Sequence, residues 1–339
     1  MNTIPRIDIV NAPTPLEYLP GVSEDLGVHF YIKREDMTSL GAGGNKLRKL
    51  EYLLADAKAK GATMLLTVGG AQTNHGRLTA AVAARHGMRC AIVSEDVYPG
   101  EISSNILLDR IMGADVVLNH SEEDKRPLEE MVRITKDRYE AAGEKVYYIP
   151  LGGSNAIGTM GYVNVAEETA GQARAMGITD GIFVTTVGSF GTYTGLFAGL
   201  REIGAPFALK GVTIMPQEVP PQQTAMALYS QLYEFAGLTQ EKAGEDAFDI
   251  VTGYDFGAYN NPVGEVRKAI YYMARREGII LDPCYTGKTF NAVCKMIQEE
   301  IILPDSNVIF FHTGGLPGVH SPVHRHEFER ELRSGLTLL

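Results

Sequence analysis

Cysteine is scarce in this 339-residue chain, and the little there is forms no pattern. Cys90, Cys284 and Cys294 are an odd, scattered set with no Cys-x-x-Cys pair. This excludes a disulfide framework and a zinc knuckle, and points to a reducing cytoplasm. Basic runs are missing too. The 31 Lys+Arg against 41 Asp+Glu give a net charge of −10 spread along the chain, which makes nucleic acid and anionic membrane surfaces poor partners. No apolar run approaches the roughly 20 residues of a membrane span. Met1–Val10 has neither the basic start nor the apolar stretch of a signal peptide. Glycine, by contrast, is plentiful: 37 residues, about 11% of the chain against about 7% on average. With no collagen period and a 45% hydrophobic chain around them, these glycines mark special backbone positions.

The length suits two compact domains. Short apolar runs at Met64–Val68, Cys90–Ser94, Asp115–Leu118, Lys145–Pro150, Ile182–Val187, Lys210–Met215 and Val308–Phe311 are continuous, not alternating. Strands buried on both faces of a parallel sheet read this way. Helical patterns lie between them. Leu47, Leu50, Leu53, Leu54 and Ala57 form one apolar stripe, with Arg48, Lys49, Glu51 and Asp56 on other faces. Arg77–His86, Asn155–Met176 and Gly195–Ile203 are further helix candidates. The alternation predicts an α/β fold with parallel sheets.

Ligands in such sheets sit beyond the carboxyl ends of strands. Glycines gather at four of those exits: Gly69-Gly70, Gly152-Gly153, Gly188 with Gly191, and Gly314-Gly315. Gly188-Ser189-Phe190-Gly191-Thr192, between a strand and a helix, can offer backbone N–H groups and two hydroxyls to an anion. A dinucleotide fingerprint and a Walker A loop both fail on spacing, which leaves a monophosphate. Gly43-Gly44-Asn45-Lys46 opens a helix, where the dipole disfavours a cation. Lys46 is either a solvent-facing lysine or an amine held neutral or bonded to a carbonyl. Gln72-Thr73-Asn74-His75 offers donors for a carboxylate, or a simple helix cap. Tyr285-Thr286-Gly287-Lys288 and His312-Thr313-Gly314-Gly315 set hydroxyls beside glycine turns. His320, His324 and His326 lack a carboxylate or cysteine at ligand spacing, so they read as a surface cluster and no metal site is expected.

A phosphate turn, a helix-start lysine and a carboxylate loop together resemble a pyridoxal-phosphate enzyme. From about residue 5 to about 320 the chain resembles the fold-type II group that contains D-cysteine desulfhydrase and 1-aminocyclopropane-1-carboxylate deaminase. The resemblance is carried by Ala12–Pro20, Lys33–Asp36, Gly43–Glu51, Gly152–Asn155 and Asp282–Lys288. It implies that Lys46 carries pyridoxal 5′-phosphate, that Asn74 contacts the ring 3′-oxygen, and that Gly188, Ser189, Phe190, Gly191 and Thr192 hold the phosphate. It implies substrate-facing tyrosines at Tyr285 and Tyr259, with Thr286 and Thr313 at the cofactor and Gln72, Thr73 and Asn74 at the substrate carboxylate. A large domain of residues 1–48 plus 156–339 with residues 49–155 inserted, the cofactor in the cleft between them, and a homodimer follow from the same resemblance.

Within the group the last two motifs look like the desulfhydrase type. A hydroxyl such as Thr313 at the ring nitrogen leaves it largely unprotonated, which is enough to eliminate hydrosulfide. The expected reaction is conversion of D-cysteine to pyruvate, hydrogen sulfide and ammonia. Lys46 would serve as base, Tyr285 or Tyr259 as acid, and Thr73 as a substrate contact or proton donor. Aminocyclopropane carboxylate or cysteate are the alternatives on the same scaffold. A non-enzymatic small-molecule binder is the alternative of another class. Three departures stand out: Thr73 where the family has Ser, its methyl expected to narrow the pocket; Asn260 in place of the glycine after Tyr259; and Leu316–His324 instead of an apolar-aromatic run.

Overall fold

The computed structural model describes residues 1–337. The chain starts in one sheet with β1 (Leu16–Tyr18), helix α1 (Pro20–Leu26) and β2 (His29–Lys33). Helix α2 (Lys46–Ala59) carries it into a second sheet made of β3 (Met64–Val68), β4 (Arg89–Val97), β5 (Asp115–Asn119) and β6 (Val146–Ile149). Helices α3 (Asn74–Arg85), α4 (Ser104–Ile111) and α5 (Leu128–Ala141) join those strands. Helix α6 (Ala156–Ala175) returns to the first sheet at β7 (Gly181–Val187), followed by α7 (Gly191–Glu202), β8 (Phe207–Thr213) and α8 (Pro221–Ala236). The chain closes with β9 (Ile250–Val251), α9 (Gly264–Glu277), α10 (Thr286–Gln298), β10 (Asn307–Phe311) and α11 (Pro322–Leu332).

The six-stranded sheet has the order β1-β2-β10-β7-β8-β9, and the four-stranded sheet β5-β4-β3-β6. Every pairing is parallel except β1 with β2, an antiparallel edge whose two strands are joined through α1. Strand β3 is buried at all five positions, as a strand covered on both faces must be. The seven apolar runs all form strands, and no helix is long and apolar enough to cross a membrane among the described residues.

Two expectations fail on buried polar groups. Arg48, Lys49 and Glu51, placed above on other faces of α2 than its apolar stripe, are 4%, 0% and 3% exposed. From Leu47 to Leu54 α2 is enclosed on all sides, and the charged groups there find partners inside the protein. Arg48 pairs with Glu35 at 2.9 Å and Glu168 at 2.8 Å, Lys33 reaches Glu168 at 2.5 Å, and Glu51 accepts the Ile9 and Val10 N–H groups. The same network explains why β2 escaped the apolar-run reading: Lys33 is buried through its partner, not through hydrophobicity. The second failure is His324, read as surface but 1% exposed.

Glycines set the helix packing that aims the site. A Cβ on Gly161 of α6 would lie 2.2 Å from the Arg48 carbonyl oxygen of α2, and one on Gly195 of α7 2.5 Å from the Tyr162 Cβ of α6. Without side chains there, α2, α6 and α7 pack backbone to backbone. Lys46 at the start of α2 is thereby fixed against the Gly188–Thr192 turn at the start of α7.

Candidate active site

In each sheet the parallel strands end on the same edge, and a cavity of about 320 Å³ lies where the two edges meet. Its wall includes Gly69 and Gly70 beyond β3, Gly152 beyond β6, Gly188 beyond β7, and Thr313 and Gly314 beyond β10. The four glycine-bearing exits therefore converge on one space. Lys46, Thr73, Asn74, Ser189, Phe190, Thr192, Tyr259 and Tyr285 line it as well.

Lys46 is the first residue of α2, and its partial exposure is to the cavity, not to the outer surface. Its Nζ lies 3.2 Å from Asn45 Oδ1 and has no carboxylate partner among the described residues. Burial without a counter-charge pushes its pKa down to about 8. Asn45 fixes the helix start by donating its backbone N–H to Thr313 O at 3.0 Å and its side-chain amide to Thr192 Oγ1 at 2.9 Å.

The start of α7 forms one end of the cavity. Phe190 caps the helix in the left-handed region, φ 65°, a conformation costly for an aromatic residue and typical of functional turns. The opening N–H groups of any helix lack helical acceptors, and the dipole adds positive potential. Beneath this turn lies a residue the sequence did not single out. Lys49 is fully buried, and among the described residues its Nζ hydrogen-bonds only to the Gly152 carbonyl at 3.2 Å and Ser154 Oγ at 3.0 Å. A Cβ on Gly191 would come within 2.6 Å of that nitrogen. Burial, reinforced by the neighbouring Lys46, holds the Lys49 pKa well below its ordinary value. Lys49 does not itself line the cavity; its amine, bonded only to neutral groups, lies behind the α7 N-terminus, whose free N–H groups are the donors a phosphate needs. The available sequence signal was that Lys46 and Lys49 are three residues apart and share a helix face.

The Gln72–Asn74 segment divides its labour. Asn74 Oδ1 accepts from Asn105 Nδ2 at 3.0 Å, which leaves its NH₂ as a donor for the cavity. Gln72 does not line the cavity. Its Oε1 accepts the Asn105 N–H at 2.9 Å, its backbone carbonyl accepts from Asn105 Nδ2 at 2.7 Å, and the residue serves to cap α4. Thr73 caps α3, accepting the Gly76 N–H at 3.3 Å. Its extra methyl does not narrow the pocket as expected. It is tucked into the space left by Gly69 and Gly76, where added Cβ atoms would meet it at 3.0 and 2.5 Å.

Opposite stand Tyr259 and Tyr285, hydroxyl bonded to hydroxyl, with ring centroids 5.5 Å apart at 77°. Burial raises both phenol pKa values, so both stay protonated through the ordinary pH range. The Asp282 carboxylate aims Tyr285 by accepting the N–H groups of Cys284, Tyr285 and Thr286. Thr286 is occupied there, donating to Asp282 Oδ1 at 2.7 Å, and it does not line the cavity; nor does Gly191. Lys288, fully buried, holds the Tyr259 loop through the carbonyls of Asp255 at 2.8 Å and Ala258 at 2.6 Å. No group of three or more metal-ligating side chains occurs among the described residues.

Comparison with known proteins bears on what this cavity holds. Residues 7–314 match the family model described as pyridoxal-phosphate dependent enzyme. A D-cysteine desulfhydrase of Yersinia enterocolitica is 38% identical over 322 residues, 93% of this chain and 95% of that protein. A Pyrococcus abyssi protein, provisionally named a 1-aminocyclopropane-1-carboxylate deaminase, is 34% identical over 321 residues, 94% of each. A crystal structure of an ACC deaminase homologue superposes with a TM-score of 0.86 at 34% identity, covering 98% of this chain and 97% of that one.

Proposed function

Since the chain belongs to the pyridoxal-phosphate dependent enzyme family and is a lyase of the deaminase–desulfhydrase type, we propose that it eliminates hydrosulfide from D-cysteine, yielding pyruvate, hydrogen sulfide and ammonia. The observation that carries this reading is the cavity's pairing of one amine of lowered pKa, Lys46, with two protonated phenols, Tyr259 and Tyr285. Such a set can take a proton from Cα and give one to a departing sulfur.

The residues present fit the cofactor. The α7 start with Ser189 and Thr192 would hold its phosphate, backed by the buried Lys49 amine behind them, the Asn74 NH₂ would suit an anionic ring oxygen, and Thr313 would offer the ring nitrogen a hydroxyl. When bound, pyridoxal phosphate supplies an electron sink for negative charge at Cα. The protein does the rest. Lys46 exchanges its proton readily near neutral pH. Thr73, Asn74 and the backbone of their loop orient the substrate carboxylate. The tyrosine pair keeps its protons until the C–S bond yields them a basic sulfur. A neutral hydroxyl at Thr313, in place of a carboxylate, favours elimination over cyclopropane ring opening.

We read residues 1–48 plus 156–339 as a larger body and 49–155 as a smaller one inserted into it, which the separate strand sets of the two sheets support. On the family resemblance the assembly is a homodimer, and three unpaired cysteines suit the cytoplasm. The test is incubation of the holoenzyme with D-cysteine while pyruvate and sulfide are assayed. Stoichiometric release of both is expected. Turnover of aminocyclopropane carboxylate or cysteate without sulfide release from D-cysteine would overturn the substrate, and absence of any turnover would favour a binding protein.

A further inference from the structure

Two of the departures from the family pattern meet behind the tyrosine pair. Asn260 stands where a glycine was expected after Tyr259, and His324 closes the unusual Leu316–His324 stretch. Asn260 Oδ1 lies 2.8 Å from His324 Nε2 and 2.8 Å from Cys284 Sγ, with Sγ 3.8 Å from that same Nε2. One carbonyl oxygen thus accepts two protons. His324 is held neutral by burial, its pKa lowered to about 4, and because its Nε2 faces a carbonyl oxygen that can only accept, that nitrogen carries the ring hydrogen. The Cys284 thiol is buried and its pKa raised, so it donates as S–H.

Each anchored residue is the chain neighbour of a cavity tyrosine: Asn260 of Tyr259, and Cys284 of Tyr285. Helix α11, which supplies His324 from its first turn, is itself fixed. Arg267 of α9 reaches Glu331 at 2.5 Å and Glu327 at 3.1 Å. Tyr259 sits on an irregular loop between β9 and α9, where Lys288 reaches backbone alone, the carbonyls of Asp255, Ala258 and Tyr259. The Asn260 side chain supplies the second hold. We propose that His324, Asn260 and Cys284 form a positioning clamp that keeps Tyr259 hydrogen-bonded to Tyr285 and thereby sets which leaving groups the enzyme can expel.

This inference rests on the elimination proposed above, and it makes a prediction that depends on the leaving group. As the Cα–H electron pair becomes the new Cα=Cβ bond, the C–S pair leaves with sulfur, which takes a proton from the tyrosine pair. Chloride departs with its pair and needs no proton. Loss of the clamp should therefore slow D-cysteine and spare β-chloro-D-alanine. We expect His324→Ala and Asn260→Gly to lower kcat for D-cysteine by about 10–100-fold, the scale of a displaced catalytic group, and to change kcat for β-chloro-D-alanine less than about twofold. His324→Gln, which keeps a donor at the place of Nε2, should restore most of the D-cysteine rate. Asn260→Gly lies in a surface loop and tests the clamp even if His324→Ala fails to fold. Equal losses on both substrates, or an unchanged D-cysteine rate, would overturn the clamp. A wild-type enzyme that releases pyruvate from neither substrate would instead remove the elimination reading, and the clamp with it.

Discussion

At the scale of the residue, the site is built from amines denied their usual partners. Lys46 has an ordinary pKa of 10.5 and a folded value of about 8. The unfolded chain therefore binds more protons than the folded one between those values, and folding is penalised below them. Lys46→Met should make the cofactor-free protein more stable than wild type at pH 7, with the advantage shrinking as pH rises from 8 towards 10.5. Thermal unfolding of the two cofactor-free proteins across that range measures it. Lys49→Met should separate two quantities. Removing a buried amine with only neutral partners raises the stability of the cofactor-free protein, while losing the amine behind the phosphate turn weakens cofactor affinity about 10–100-fold. Calorimetry and titration with pyridoxal phosphate give the two numbers. Lys46 was legible in the sequence because a lysine at a helix start defies the dipole. Lys49 was not, because one turn further along a lysine is ordinary, and only the folded chain shows Gly191 resting on it.

At the scale of the element, the strands were legible and the polar half of the packing was not. Continuous apolar runs identify β3, β7 and β10 because such runs have no solvent face to serve. α2 misleads for the opposite reason. Its apolar stripe is real, yet Arg48, Lys49 and Glu51 are enclosed too, each satisfied by residues distant in sequence such as Glu168, Ser154 and the Ile9 backbone. Periodicity carries no information about such partners. Gln72 is another case: a side chain apparently available to a carboxylate is consumed by Asn105 of α4. The tight crossing of α2 and α6 gives the test at this scale. Gly161→Ala places a methyl 2.2 Å from the immobile Arg48 carbonyl, so the helices must part. Overpacking of this kind costs about 1–3 kcal/mol, readable by urea denaturation. Because α2 begins with Lys46, cofactor affinity should fall in the same variant.

At the scale of the whole molecule, the cavity wall comes from both sheets, so whatever fills it ties them together. Removal of pyridoxal phosphate should lower the unfolding temperature and open the loop around Tyr259 to proteolysis, and re-addition should reverse both. Limited proteolysis with and without the cofactor checks this. Strand order has a consequence for how the protein is made. The four-stranded sheet is complete once residue 149 has been synthesised. The six-stranded sheet is not, for β10, its last strand to leave the ribosome, belongs in its interior between β2 and β7. Until then β1-β2 and β7-β8-β9 are two ribbons with a missing rung, and Thr313, which follows that rung, has no place to stand. The nascent chain can shape one side of its cleft early, but the other exists only once β10 has been made.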